Sequence, residues 1–172
     1  MDGNRRWAIH HNLETFLGHK EGVKAVDHSI NFALKKGIKY LTLYAFSIEN
    51  LSRTDTEKNF LFDILINETN NRLEEFKKKN VCVKFKGEYS LFPEKIRNSC
   101  KRIESETADS TSLYVNILFC YGGQQEILAA VKNLANDFKA GIISEDDIGK
   151  HFQSYLWCSR SEEHTSELQS PC

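Results

Sequence analysis

Tyr40-Leu41-Thr42-Leu43-Tyr44-Ala45-Phe46-Ser47-Ile48-Glu49-Asn50 changes character partway along. Its first seven residues are apolar, aromatic or β-prone without a break, the composition of a strand covered on both faces. From Ser47 onward polar side chains take over. In open parallel sheets ligands bind beyond the carboxyl ends of the strands. A buried strand running straight into serine, glutamate and asparagine therefore predicts a sheet whose C-terminal rim carries chemistry.

Upstream, Val23, Val26, Ile30, Ala33 and Leu34 follow the 3.6-residue period, which predicts a helix over 21–36 packed on that sheet, and Gly37 stands where a helix C′ residue belongs. Downstream, Thr54 or Asp55 caps a helix reaching to about residue 79. Its first half, Phe60-Leu61-Phe62-Asp63-Ile64-Leu65-Ile66, is apolar nearly all round, and its second half is charged. Then the pattern repeats: a strand over 81–85, a helix opened by Pro93 and running to about 107, and a strand over 113–120. A helix over 124–139 stopped by Gly141 follows, and last a weaker helix over 145–157 after Ser144. Alternation of this kind implies an α/β fold, an open and mainly parallel sheet flanked by helices. Tyr121-Gly122-Gly123 follows the third strand as Ser47–Asn50 follows the first.

Composition bounds the partners. The chain has 172 residues, 40% hydrophobic and 27% charged, enough for one domain with a sizeable core. A formal net charge of −1 argues against nucleic-acid binding by bulk electrostatics, so any anion site is local. The apolar runs fall far short of the roughly 18 residues of a membrane span, and no charged-then-apolar leader opens the chain. The expected location is the cytosol or a membrane surface. Cys82, Cys100, Cys120, Cys158 and Cys172 are scattered and odd in number, which fits reduced core thiols rather than a disulfide frame or zinc site.

The chemistry is densest at the start, in Met1-Asp2-Gly3-Asn4-Arg5-Arg6-Trp7-Ala8. Asp2 can ligate a hard cation such as Mg²⁺, which takes one or two carboxylates together with phosphate oxygens and water. Gly3 lets backbone N–H groups approach an anion, and Arg5 and Arg6 offer planar forks matched to phosphate oxygens.

This opening, together with Gly18-His19-Lys20-Glu21-Gly22, Tyr44-Ala45-Phe46-Ser47-Ile48-Glu49-Asn50-Leu51-Ser52-Arg53 and Tyr121-Gly122-Gly123-Gln124-Gln125-Glu126-Ile127, resembles the cis-prenyltransferases, the family of undecaprenyl and dehydrodolichyl diphosphate synthases. The similarity runs from Met1 to about residue 159. It implies Mg²⁺-dependent condensation of isopentenyl diphosphate onto an allylic diphosphate such as farnesyl diphosphate, giving Z-polyprenyl diphosphate. Asp2 would hold Mg²⁺ and be catalytic. Gly3, Asn4, Arg5 and Arg6 would cradle the allylic diphosphate with Trp7 beside them, and His19, expected at a helix start, would be a diphosphate ligand. Ser47 and Asn50 would orient the substrates and the loss of a proton from isopentenyl diphosphate, Asn50 placing the proton's route at the catalytic step rather than taking the proton, an amide being a poor base. Ile48, Glu49 and Leu51 would be substrate-binding, Glu49 also helping to hold the loop, and Arg53 would add an anion contact. The apolar half of the helix after Thr54 would line a product tunnel. Thr15, Thr54 and Gln124 stand where the family usually has arginine, proline and arginine. The D-D-x-x-D motif of the trans-prenyltransferases is absent from the sequence.

The same resemblance sets expectations at both ends. A short strand would precede Met1 and an arginine-bearing segment would follow Trp157, so the sequence reads as a partial domain over 1–159. Residues 160–172 read as an adapter-like, disordered tail, and the chain alone is expected to be inactive. Homodimer or heteromer assembly and peripheral membrane contact for release of a lipid product are implied by the family. A non-catalytic prenyltransferase-like partner subunit is the alternative reading.

Overall fold

The computed structural model describes residues 3–158. Asp2, Cys172 and the tail expected to be disordered lie outside the described residues. Within them β1 (Tyr40–Ser47), β2 (Val81–Lys86) and β3 (Leu113–Tyr121) form one parallel sheet in the order β1-β3-β2. Tyr40 aligns with Tyr114 on one side of β3, and Val81 with Leu113 on the other. Helices α1 (Asn4–His10) and α2 (Thr15–Lys36) precede β1, while α3 (Asp55–Asn71) and α4 (Leu73–Lys78) link β1 to β2. α5 (Glu94–Glu106) links β2 to β3, and α6 (Gly123–Lys139) and α7 (Ile148–Tyr155) follow. The parallel α/β fold expected from the alternation is the one observed.

The most continuously apolar strand, β3, takes the centre, and six residues in a row from Val115 to Cys120 are buried there. β2 lies at an edge, where unpaired N–H groups would be costly. α5 supplies the missing partners: Thr107, its C-cap, accepts from the Val83 N–H at 3.1 Å, and Glu104 from the Phe85 N–H at 2.7 Å. Between the layers Phe46, Phe62, Phe92 and Phe119 interlock, with ring centroids 4.8 to 5.4 Å apart. Four of the cysteines are free and buried, as expected of core thiols. Among the described residues no helix is long and apolar enough to cross a membrane.

Several elements depart from the sequence reading. α2 begins at Thr15 rather than residue 21, so His19 sits in its second turn and not at its start. One reason is steric: in the added turn Gly18 meets the Asn4 backbone of α1, so no side chain stands there to mark an apolar face. The expected single helix over 55–79 breaks at Arg72, whose φ of −100° and ψ of 1° separate α3 from α4. β1 is less buried than a doubly covered strand, with Thr42 and Tyr44 exposed. It is an edge strand of the described sheet, and its second half lines a cavity.

Candidate functional site

The opening motif forms α1, a helix with one buried residue, Ala8, and hence no readable period. Gly3 starts it at φ +88°, a left-handed backbone that favours glycine. α1 is seated on α2 through two more glycines. A Cβ on Gly18 would lie 2.0 Å from the Asn4 carbonyl oxygen, and one on Gly22 would lie 2.8 Å from the Asn4 side-chain nitrogen. Gly18 and Gly22 of the GHKEG string thus fix where Asn4, Arg5 and Arg6 stand.

The facing wall is built by paired irregularities. Tyr44 aligns with Leu118 but Phe46 with Phe119, so Ala45 is an extra residue in β1; Ser47 then aligns with Tyr121, so Cys120 is an extra residue in β3. Cys120 takes up its bulge with φ +46°. Bulges of this sort turn a strand end and re-aim its side chains. Here they bring Ser47 to the rim, and the Tyr44 hydroxyl donates to the Tyr121 carbonyl at 2.9 Å.

Beyond β1 a 3-10 turn, Ile48–Ser52, is closed by a capping box: the Ser47 hydroxyl accepts from the Asn50 N–H, and Asn50 Oδ1 accepts from the Ser47 N–H at 3.1 Å. Asn50 is thereby held by its oxygen, and its Nδ2 donors are left for other partners. Hydrogen bonds from its own backbone and from Ser47 hold the exposed Glu49 carboxyl below the usual carboxylate range. At the end of the turn Arg53 Nη1 donates to Glu57 Oε1 at 2.7 Å.

These pieces enclose a cavity of about 490 Å³. Gly3, Asn4, Arg5, Arg6 and His19 line it from the helical side, with Ser47, Asn50 and Arg53 opposite in sequence on the β1 side. The remaining walls are mostly apolar: Val23, Val26 and Ile30 of α2, Leu43 to Phe46 of β1, Leu61, Ile64 and Leu65 of α3, and Val115, Ile117 and Phe119 of β3. Lining residues run from Leu61 of α3 to Arg72 just past its end, roughly 16 Å at the helical rise. Polar groups return at that end as Glu68, Thr69 and Arg72, and Arg72 pairs with Glu68 at 3.1 Å and with Asp27 of α2.

The rim is electropositive. Burial pushes the His19 imidazole below its ordinary 6.5; Arg53 lowers it further, Glu57 opposes, and Arg5 adds a smaller lowering. An anion placed among these groups would oppose that shift. No cluster of three His, Cys, Asp or Glu side chains suited to a metal occurs among the described residues. The cavity's one lining carboxylate among them, Glu68, lies at the other end of α3.

Gly3, Asn4, Arg5, Arg6, His19, Ser47, Asn50 and Arg53, picked from the sequence, therefore share one cavity. Trp7, Ile48, Glu49 and Leu51 do not line it. Trp7 is 39% exposed and stacks on His11 at 4.2 Å. Ile48 lies against Gly122, joining the 3-10 turn to the Tyr121-Gly122-Gly123 segment. Leu51 packs on the core. The α2 wall escaped sequence reasoning, because Val23, Val26 and Ile30 read equally well as a stripe packed on a sheet.

A cationic rim opening into a mostly apolar chamber beside a parallel sheet defines the site of this α/β protein. Residues 1–165 match the family described as "Putative undecaprenyl diphosphate synthase", and the chain belongs to that family, the cis-prenyltransferases. It is 38% identical over 158 residues to an isoprenyl transferase of Clostridium perfringens, covering 91% of this chain and 62% of that protein. A ditrans,polycis-undecaprenyl-diphosphate synthase of Xylella fastidiosa, specific for farnesyl diphosphate, is 39% identical over 156 residues, with coverage of 88% and 61%. Among solved structures, lavandulyl diphosphate synthase from Lavandula x intermedia in complex with dimethylallyl diphosphate superposes with a TM-score of 0.87 at 28% identity, covering 91% of this chain and 68% of that one. The chain spans about three-fifths of the length of the curated relatives it matches.

Proposed function

We propose that the protein acts in cis-prenyl chain elongation, joining isopentenyl diphosphate to an allylic diphosphate to extend a Z-polyprenyl diphosphate. Family membership supports the reaction class. The observation that carries the reading for these residues is the single cavity whose rim holds Arg5, Arg6, His19 and Arg53 and whose walls are apolar. A diphosphate head suits the guanidinium forks, and a prenyl tail suits the walls.

Loss of diphosphate from an allylic carbon leaves a carbocation-like centre, so the site must neutralise the leaving group, exclude water and orient the attacking alkene. Arg5, Arg6 and Arg53 supply charge to the leaving diphosphate, and His19 adds a donor that gains proton affinity once the anion is bound. Val26, Ile30, Leu61 and Leu65 keep water from the tail. Asn50, anchored by Ser47, presents amide donors that orient the isopentenyl group for proton loss. The described donor set suits the diphosphate rather than a metal, so Mg²⁺ would rest on Asp2, outside the described residues, and on ligand oxygens, supplying further charge neutralisation.

The test is incorporation of isopentenyl diphosphate into an extractable polyprenyl product, with farnesyl diphosphate as primer and Mg²⁺ present. Product from an enzyme carrying these residues at the full length of its relatives, and its loss in Arg53→Ala, is the expected result, whereas the 172-residue chain by itself is expected to give none. Incorporation that is indifferent to Arg53, Arg6 and His19 substitutions would move the chemistry out of this cavity.

A further inference from the structure

Glu57 is the third residue of α3, in the sequence Thr54-Asp55-Thr56-Glu57. With that spacing a threonine hydroxyl caps the helix and the glutamate side chain turns back to the threonine N–H. Half of the arrangement is made: Thr54 Oγ1 accepts from the Glu57 N–H at 3.4 Å. The carboxylate goes elsewhere, to Arg53 Nη1 at 2.7 Å. A group available to the helix start has been diverted to a cation of the cavity rim.

That ion pair is part-buried at the rim but still reached by water, with the Arg53 and Glu57 side chains 28% and 27% exposed. Pairs of this exposure are weak and can exchange partners without disturbing a core. Arg53 lines the cavity and Glu57 does not, so the guanidinium is the shared member. It meets Glu57 through Nη1 and has further N–H donors for a ligand. Glu57 is also the carboxylate whose charge opposes Arg53 and Arg5 at His19.

We propose that Glu57 is a positioning residue for release: it competes with bound diphosphate for Arg53 and reclaims the guanidinium when the leaving diphosphate departs. The proposal rests on the diphosphate reading above. A rim of arginines grips the spent diphosphate as well as the substrate's, and binding both alike does nothing for turnover. Repeated condensation needs the site cleared each time, and departure of a product often limits such cycles. A neighbouring carboxylate that takes the arginine back weakens the hold on the product without removing a donor from the site.

Inorganic diphosphate, titrated calorimetrically into the full chain in metal-free buffer, tests this without requiring turnover. Glu57→Gln keeps size and an acceptor but removes the charge, and should bind diphosphate about 2- to 5-fold more tightly, the scale of losing one competing ion pair at the rim. In an Arg53→Ala background the same substitution should change nothing. Glu57→Asp, which withdraws the carboxylate by one methylene, should give a smaller tightening, and serves if the glutamine variant folds poorly. In steady state, inhibition by added diphosphate should strengthen in Glu57→Gln. Unchanged or weaker binding by Glu57→Gln, or a tightening that persists without Arg53, overturns the release role while leaving the site. A wild-type chain that binds no diphosphate, or binds it without regard to Arg53, overturns the diphosphate reading itself.

Discussion

Gly18 lies so close under Asn4 that a Cβ on it would sit 2.0 Å from the Asn4 carbonyl oxygen. Real Cβ atoms do not approach carbonyl oxygens that closely, so α1 and α2 dock through backbone. Gly18→Ala must push α1 away, at about 1–3 kcal/mol for overpacking. Because Arg5 and Arg6 ride on α1, diphosphate affinity should fall together with the melting temperature. Gly149→Ala is the control: nothing lies within 4 Å of its Cβ position in α7, and it should gain about 0.5–1 kcal/mol. Equal melting temperatures for the two variants would show that the docking is looser than this.

A second expectation concerns the sheet edge. Thr107 accepts from the Val83 N–H at 3.1 Å and donates to the Ile103 carbonyl at 2.8 Å, and it is fully buried. Thr107→Val preserves shape but leaves the Val83 N–H without its acceptor, a loss of about 1–3 kcal/mol. Urea unfolding should show a lower midpoint with an unchanged slope. An unchanged midpoint would mean that the edge finds another acceptor.

These two positions also show what the sequence could and could not disclose. The alternation of β and α, the ends of β1 and β3, a cap at Thr54 or Asp55, which falls to Thr54, and the Gly37 stop were legible, because period, propensity and turn chemistry are local. α1 was not, since seven residues with one buried side chain carry no period. The early start of α2 was hidden in part by Gly18, which makes its docking possible and carries no side chain to mark a face. The break at Arg72 has no local breaker; among the described contacts, ion pairs to Asp27 and Glu68 hold the residue there. The cavity was half legible: motif residues pointed to its rim, whereas a wall facing a void and a wall facing a sheet look alike in sequence.

The third prediction is a pH dependence at His19. Its folded value is pushed below 6.5, first by burial and then by Arg53. Well above pH 6.5 the imidazole is neutral in both folded and unfolded chains and contributes no slope. As pH falls below 6.5 the unfolded chain takes up a proton that the folded site resists, so stability declines until the folded value is passed. Bound diphosphate favours the imidazolium, so binding in that range should be accompanied by proton uptake. His19→Gln should flatten both effects. Calorimetry in buffers of different ionisation enthalpy reads the uptake, and identical uptake in wild type and variant would exclude His19 as its source.

The last prediction separates two roles of Asn50. Its Oδ1 closes the capping box on the Ser47 N–H at 3.1 Å, and its Nδ2 donors are the groups left to act in the cavity. Asn50→Ala removes both, and should lower turnover more than substrate affinity, by about 10²-fold or more if the amide orients the proton-losing step. Because the box is lost as well, alanine alone leaves the cause ambiguous. Asn50→Asp keeps an oxygen in place to accept from Ser47 but has no amide donor, so the 3-10 turn should survive. If the donors matter, the aspartate variant melts like wild type yet turns over as poorly as alanine. If only the capping box matters, aspartate retains wild-type turnover. Steady-state kinetics in an enzyme of the relatives' full length, set beside thermal melts of the two variants, decides between orienting substrate and holding the loop.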